Sequence, residues 1–281
     1  MDKTEWQGLA GSNWAAEWRR TDRSFTAVTE KLLQRTRGLA FTQVLDIGCG
    51  AGELALAIAR GRSDVRVIGV DISPDLVTAS RQRGGNLTNV AFDLADASQW
   101  QPPASFAPQL LVSRHGVMFF EDPYAAFRHL SAIADSGAHL LFSCFRSVAE
   151  NPVFHQVAAL LPPSATPPEQ PDPHAPDSPA PGPFAFADRA RIAAILGASG
   201  WEAIAIDPFD FAMIVGSGED PVEDAVAYFN VIGPVAVIAR TLDHDARGAL
   251  SDRIRQLARA NCHQGFVALP AAGWIVSARK A

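Results

Sequence analysis

The sequence predicts an α/β protein built on a doubly wound, mostly parallel sheet. Two observations carry that expectation. From Val44 onward, short apolar runs alternate with amphipathic stretches over brief connections. The first of those runs ends in a glycine-rich loop that leads straight into a helix.

Residues 1–40 read as a helical cover, with Trp6, Trp14 and Trp18 followed by Phe25, Val28, Leu32 and Leu33 at helical spacing. Residues 44–47 form the first strand, and the helix that follows its glycine loop runs from Glu53 to Arg60, with Gly61 stopping it. Residues 65–70 are apolar enough for a strand buried on both faces. Ser73-Pro74-Asp75 then opens a helix with a capping hydroxyl, a first-turn proline and an acid, and Gly84-Gly85 ends it. Residues 90–92, 110–113 and 139–145 give three more strands, and Asp122-Pro123 starts the helix before the last of them. These elements make residues 41–150 a ligand-binding core.

Residues 151–187 break the rhythm. Eleven of the 20 prolines lie between Pro152 and Pro183, which excludes regular helix or central strand over most of that stretch. A short helix is expected at 152–161, and the remainder reads as a solvated linker or as a lid over a pocket. Residues 188–281 complete the sheet. Asp188 caps a helix that runs to Gly200, strands follow at 201–206 and 273–278, and helices lie at about 220–231 and 243–260.

The whole-chain properties exclude several classes. A net charge of −6 with scattered basic residues offers no groove for nucleic acid. No apolar stretch approaches the ~20 residues of a membrane span. Cys49, Cys144 and Cys262 are sparse and odd in number, so no disulfide framework is expected. No His/Cys/Asp grouping has metal-site spacing. With no apolar run of signal-peptide length behind Met1, the cytoplasm is the expected location.

The chemistry concentrates at Gly48-Cys49-Gly50-Ala51-Gly52, where bare backbone amides can approach a ligand closely. Asp71 ends the second strand 19 residues past Gly52, where a carboxylate can accept both hydroxyls of a ribose. Two features choose among nucleoside ligands. The spacing is G-x-G-x-G rather than the dinucleotide fingerprint G-x-G-x-x-G. Asp46 also precedes the glycines, where it would repel a pyrophosphate by about 1–4 kcal/mol. S-adenosylmethionine lacks phosphate and carries a sulfonium and an ammonium, so electrostatics favours it. Asp96-Ala97, after the third strand, suits an exocyclic adenine amine and a ring nitrogen, with Asp93 the weaker candidate and a turn cap the plainer role.

Residues 44–52, Asp71, Asp96-Ala97 and Ser113-Arg114-His115-Gly116-Val117-Met118-Phe119-Phe120 together resemble the class I S-adenosylmethionine-dependent methyltransferases, and within them the ubiquinone/menaquinone-type group. The likeness is strong over residues 40–146. It implies a seven-stranded sheet with an antiparallel last strand. It also implies a cofactor site of Trp14, Asp46, Gly48, Cys49, Gly50, Asp71, Ile72, Asp96, Ala97, Ser113 and Arg114. In that likeness Trp6-x-Gly-x-x-Gly11-x-x-Trp14 covers the methionine end of the cofactor, with a cation–π attraction of about 0.5–2 kcal/mol. Trp14 reads equally well as a core residue, and Arg114 as the partner of a surface acid. The chain departs from the pattern at Pro108-Gln109, where relatives have Phe-Asp.

A small-molecule methyl acceptor with O, N or C as nucleophile is the expected substrate. His115, just after the fourth strand, is the candidate general base. His155, His174 and His263 are weaker candidates, and Cys49 is a small loop residue. Phe119, Phe120, Phe184 and Phe186 suggest an apolar pocket. The competing expectations are a nicotinamide-dependent oxidoreductase and a non-catalytic cofactor-binding protein.

Overall fold

The computed structural model describes residues 3–163 and 180–281. Four short helices come first: α1 (Lys3–Gln7), α2 (Leu9–Ala16), α3 (Trp18–Ser24) and α4 (Thr26–Thr36). The alternation follows as β1 (Gln43–Ile47), α5 (Glu53–Gly61), β2 (Arg66–Asp71), α6 (Pro74–Gly84), β3 (Val90–Leu94), β4 (Leu110–Arg114), α7 (Pro123–Ile133) and β5 (His139–Phe145). The anticipated caps hold these helices. Ser73 Oγ accepts from the Leu76 N–H at 3.4 Å, and Asp122 Oδ1 accepts from the Ala125 N–H at 2.9 Å. Each satisfies an amide that the first helical turn leaves without a partner.

The second half adds α8 (Pro152–Ala158), α9 (Arg189–Gly197), β6 (Trp201–Gly216), α10 (Pro221–Val231), α11 (Pro234–Ala239), α12 (His244–Ala260), β7 (Cys262–His263) and β8 (Phe266–Lys280). Among the described residues the strands form one sheet in the order β3-β2-β1-β4-β5-β8-β6, with β7 paired to β8 alone. β1 pairs in parallel with both β2 and β4, and β8 runs antiparallel between β5 and β6. This is the mixed α/β sheet with an antiparallel closing strand that the sequence implied. The two-residue β7 is the addition.

Three details differ from the sequence reading. β6 and β8 are 16 and 15 residues long, far beyond the short strands anticipated. Pro208 and Pro270 hid this, because proline in a strand argues against a ladder position. Both are tolerated for the same reason. β6 is the edge of the sheet, and β5 leaves β8 at the Phe145↔Gly273 pair, before Pro270 is reached. The helix after Asp188 ends at Gly197, not Gly200, and α11 was not anticipated.

The departure at Pro108-Gln109 is structural. Gln109 Oε1 accepts from the Thr42 N–H at 2.7 Å and so pins the entry to β1. Strand order reverses between β1 and β4, and open α/β sheets bind ligands beyond the strand ends at such a point.

Candidate functional site

The loops leaving β1 and β4 touch at that reversal. A Cβ on Gly48, whose φ is +61°, would stand 2.9 Å from the Gly116 Cα. A Cβ on Gly116 would lie 2.6 Å from the Ile47 carbonyl oxygen. Only two glycines allow this approach. Ser113 secures it from below: its Oγ donates to the Ile47 carbonyl at 2.7 Å and accepts from the Gly116 N–H at 3.1 Å. The Ser113 side chain is buried and does not line the cavity above. Gly50, with φ of +55°, has no atom within 4 Å of where a Cβ would stand, so the loop forms an open cradle there.

Asp71 rims the cradle. Its Oδ2 accepts from the Gly50 N–H at 2.8 Å and its Oδ1 from the Ser73 N–H at 2.9 Å. Burial raises the carboxyl above the ordinary aspartate value against the pull of these amides. Each carboxylate oxygen keeps a further lone pair for a ligand hydroxyl. Asp46 is deeper: its Oδ2 accepts from the Ala55 N–H of α5 at 3.0 Å, and burial pushes its carboxyl up to about 7. Burial likewise drives the Cys49 thiol well above its ordinary value, which leaves it an inert loop residue.

Asp96 lies across the cradle beside Ala97 and Ile72, all three lining the same cavity. Burial works to raise the Asp96 carboxyl, but bonds from Lys3 and Ser98 outweigh it and hold it below its ordinary value. The Lys3 ammonium pairs with Asp96 at 2.7 Å and Glu121 at 3.1 Å, bringing the first helix onto the site. Asp93 has a structural partner instead, accepting from Trp100 Nε1 at 2.9 Å.

Arg114 points to the N-terminal helices. It pairs with Asp22 at 3.0 Å, donates to Thr29 Oγ1 at 3.0 Å and lies over the Phe25 ring. Arg83 meets the same Asp22 and also Glu53, each at 2.8 Å, so two acids and two arginines share one half-buried cluster. Burial and the neighbouring Asp22 together raise the Glu53 carboxyl.

His115 has φ of +62° and is buried. Its ring stacks on Phe145 with centroids 4.3 Å apart, meets Phe25 edge-on, and holds Ser143 Oγ at 3.4 Å from Nδ1. Burial, reinforced by the Arg114 charge, pushes its pKa down to about 3. Its Nε2 is buried without a hydrogen-bond partner, as is Trp6 Nε1. An unpaired buried polar group costs about 1–3 kcal/mol, so both positions favour a ligand that bonds to them.

These residues share one cavity of about 940 Å³. One end holds the glycine cradle. The other runs between α8, which carries the candidate His155, and α10 and α11, which sequence reasoning did not connect to the site. An unbroken series of ring contacts, Trp6–Trp14–Phe25–His115–Phe145–Phe154–Phe184, joins the two ends. Phe119 and Phe120 also line the cavity, but Phe186 is buried against Phe127 and Phe142 and belongs to the core. His155 lines the cavity from α8, His263 is remote from it on β7, and His174 lies outside the described residues. Most of the proline-rich stretch read as linker or lid also lies outside them. Among the described residues no acid, histidine or cysteine group could hold a metal, and no helix is long and apolar enough to cross a membrane.

Residues 40–165 match a family model described as a methyltransferase domain. That match covers less than half of the 281-residue chain. Over 125 residues the chain is 31% identical to a trans-aconitate 2-methyltransferase of Methylobacterium radiotolerans, covering 44% of this chain and 46% of that one. It is 26% identical over 102 residues to malonyl-[acyl-carrier protein] O-methyltransferase 1 of Ilyobacter polytropus, covering 36% and 37%. The chain thus spans less than half the length of either curated relative. A Haemonchus contortus phosphoethanolamine N-methyltransferase 2, solved with S-adenosyl-L-methionine, shares the fold at a TM-score of 0.56 and 15% identity, covering 95% of this chain and 56% of that one. These relatives do not specify the ubiquinone/menaquinone-type group.

Proposed function

We propose that the protein transfers a methyl group from S-adenosylmethionine to a small molecule. The observation that carries this reading is the acidic lining of the cradle. Asp46, Asp71 and Asp96 all line the cavity around the glycine loop. The two basic side chains at that end, Lys3 and Arg114, are both held by acids. A pyrophosphate would meet carboxylates there, whereas a cationic nucleoside is favoured.

In this reading the backbone of Gly48, Cys49 and Gly50 lies along the cofactor, and Asp71 accepts the ribose hydroxyls beside Ile72. Asp96 and Ala97 take the adenine edge. Trp14 covers the sulfonium, Arg114 and Asp22 face its amino-acid end, and Ser113 keeps the two loops in contact. When bound, the cofactor supplies a methyl group made electrophilic by its positive sulfur. The chain supplies alignment and exclusion of water.

His115 is the proposed polar contact for the acceptor. Its imidazole stays neutral at all ordinary pH values, so it is a weak general base and serves by orienting the nucleophile.

Asp71→Ala tests the reading. Calorimetry with S-adenosylhomocysteine should show at least tenfold weaker binding with an unchanged far-ultraviolet spectrum. Equal affinity in the two proteins would refute the ribose assignment.

A further inference from the structure

We infer that the acceptor is a neutral, aromatic or similarly apolar molecule that presents a hydroxyl to His115, and not a carboxylate of the kind the curated relatives are named for. The inference rests on the methyltransferase reading for the reaction, but its own observations lie at the other end of the cavity.

Volume is the first. A pocket for a single ligand can be as small as about 300 Å³. A cavity of about 940 Å³ that continues past the glycine cradle has room for a second molecule in line with the first. Lining is the second. Beyond His115 the walls are Phe145, Phe154 and Phe184 on one side and Tyr228, Ile232 and Ile238 on the other. The Tyr228 phenol is bonded to Ser24, and burial pushes its pKa up to about 12.

Charge is the third. A carboxylate acceptor needs a basic partner, because a buried charge without one is strongly disfavoured. Lys3 and Arg114 are the lysine and arginine among the described lining residues, and each is in an ion pair at 2.7 Å and 3.0 Å. His155 sits on the exposed face of α8 and is the remaining titratable group at that end.

The fourth observation sets the polar end of the acceptor. His115 Nε2 is buried and unpartnered, where the aromatic lobe joins the touching Gly48 and Gly116 loops. A neutral imidazole with its other nitrogen near Ser143 accepts from or donates to a hydroxyl, and it offers an anion no charge.

The test measures binding of 2-naphthol by fluorescence, with and without S-adenosylhomocysteine, in the wild-type protein and in Phe154→Leu, Phe154→Asp and Ile238→Glu. The aspartate and glutamate variants should weaken 2-naphthol binding tenfold or more, and Phe154→Leu about threefold. All three should leave affinity for S-adenosylhomocysteine unchanged. Trans-aconitate should neither displace 2-naphthol nor become methylated. Displacement by trans-aconitate, or 2-naphthol binding indifferent to the three substitutions, would overturn the inference. Loss of S-adenosylhomocysteine binding with 2-naphthol binding intact would instead sink the cofactor reading and leave the aromatic lobe standing.

Discussion

Asp46 sits at the end of β1 with its carboxyl pushed by burial from 3.8 to about 7, so near neutral pH it is split between two charge states. A bound cation favours the ionised form. Below pH 7 a cationic ligand must therefore drive off a proton, and its affinity should climb by up to tenfold per pH unit before levelling near pH 8. Asp46→Asn should flatten that dependence, since an amide oxygen still accepts from Ala55 but no longer titrates. Calorimetry with S-adenosylmethionine between pH 6 and 8 checks this, and equal slopes for the two proteins would remove Asp46 from the site's charge balance. The ligand-free protein has the opposite trend: unfolded Asp46 ionises first, so its contribution to stability falls as pH rises from about 4 toward 7.

Residues whose partners are near in sequence were legible from it. Asp71 ends β2, Asp96 follows the end of β3 by two residues, and the glycine run starts directly after β1. Lys3 and Asp22 were not legible, because Asp96 and Arg114 meet them only once the chain has folded back across the site.

Elements explain why the same substitution has different consequences in the two touching loops that leave β1 and β4. Gly116→Ala sets a Cβ against backbone at 2.6 Å, and backbone cannot move aside like a flexible side chain. Gly50→Ala meets nothing within 4 Å and carries only the strain of φ +55°, about 1–2 kcal/mol. Gly116→Ala should therefore lower Tm by 5 °C or more. Gly50→Ala should stay folded with a smaller Tm change, yet bind S-adenosylhomocysteine tenfold more weakly because its methyl group fills the cradle. Thermal scans paired with calorimetry separate the two cases, and identical behaviour would deny the two loops their division into joint and cradle.

The strand–helix alternation was readable because several helices announce themselves with a local cap, as at Ser73, Asp122 and Asp188. The long antiparallel β6–β8 pair was not. Its apolar alternation at Phe209, Phe211, Met213 and Val215 was present in the sequence, but Pro208 obscured it. That strand pair carries Met213 to the cavity, so the missed strand length was also part of the missed cavity lining.

At the scale of the whole molecule, the N-terminal helices bind the two halves of the cavity together. Gly11 is the closest point: a Cβ there would stand 2.1 Å from Ser73 Oγ at the head of α6. Asn13 Nδ2 donates to the Val231 carbonyl at 3.3 Å, at the end of α10, and Arg20 and Arg23 pair with Asp224 at 2.7 and 2.8 Å. A ligand under this cover stabilises the folded form by mass action. S-adenosylhomocysteine at 100 times its Kd contributes about 2.7 kcal/mol, which for a chain of this size corresponds to a Tm rise of about 5–10 °C. The distribution of that gain tests the architecture. Trp6, Trp14 and Lys3 line the cavity from α1 and α2, so the amides of those helices should exchange more slowly with deuterium once the ligand is bound. The slowing should match that at the glycine loop and exceed that of α12, which does not line the cavity. Protection confined to β1, β2 and α5, with α1 and α2 exchanging as before, would mean that these helices pack beside the site without closing it.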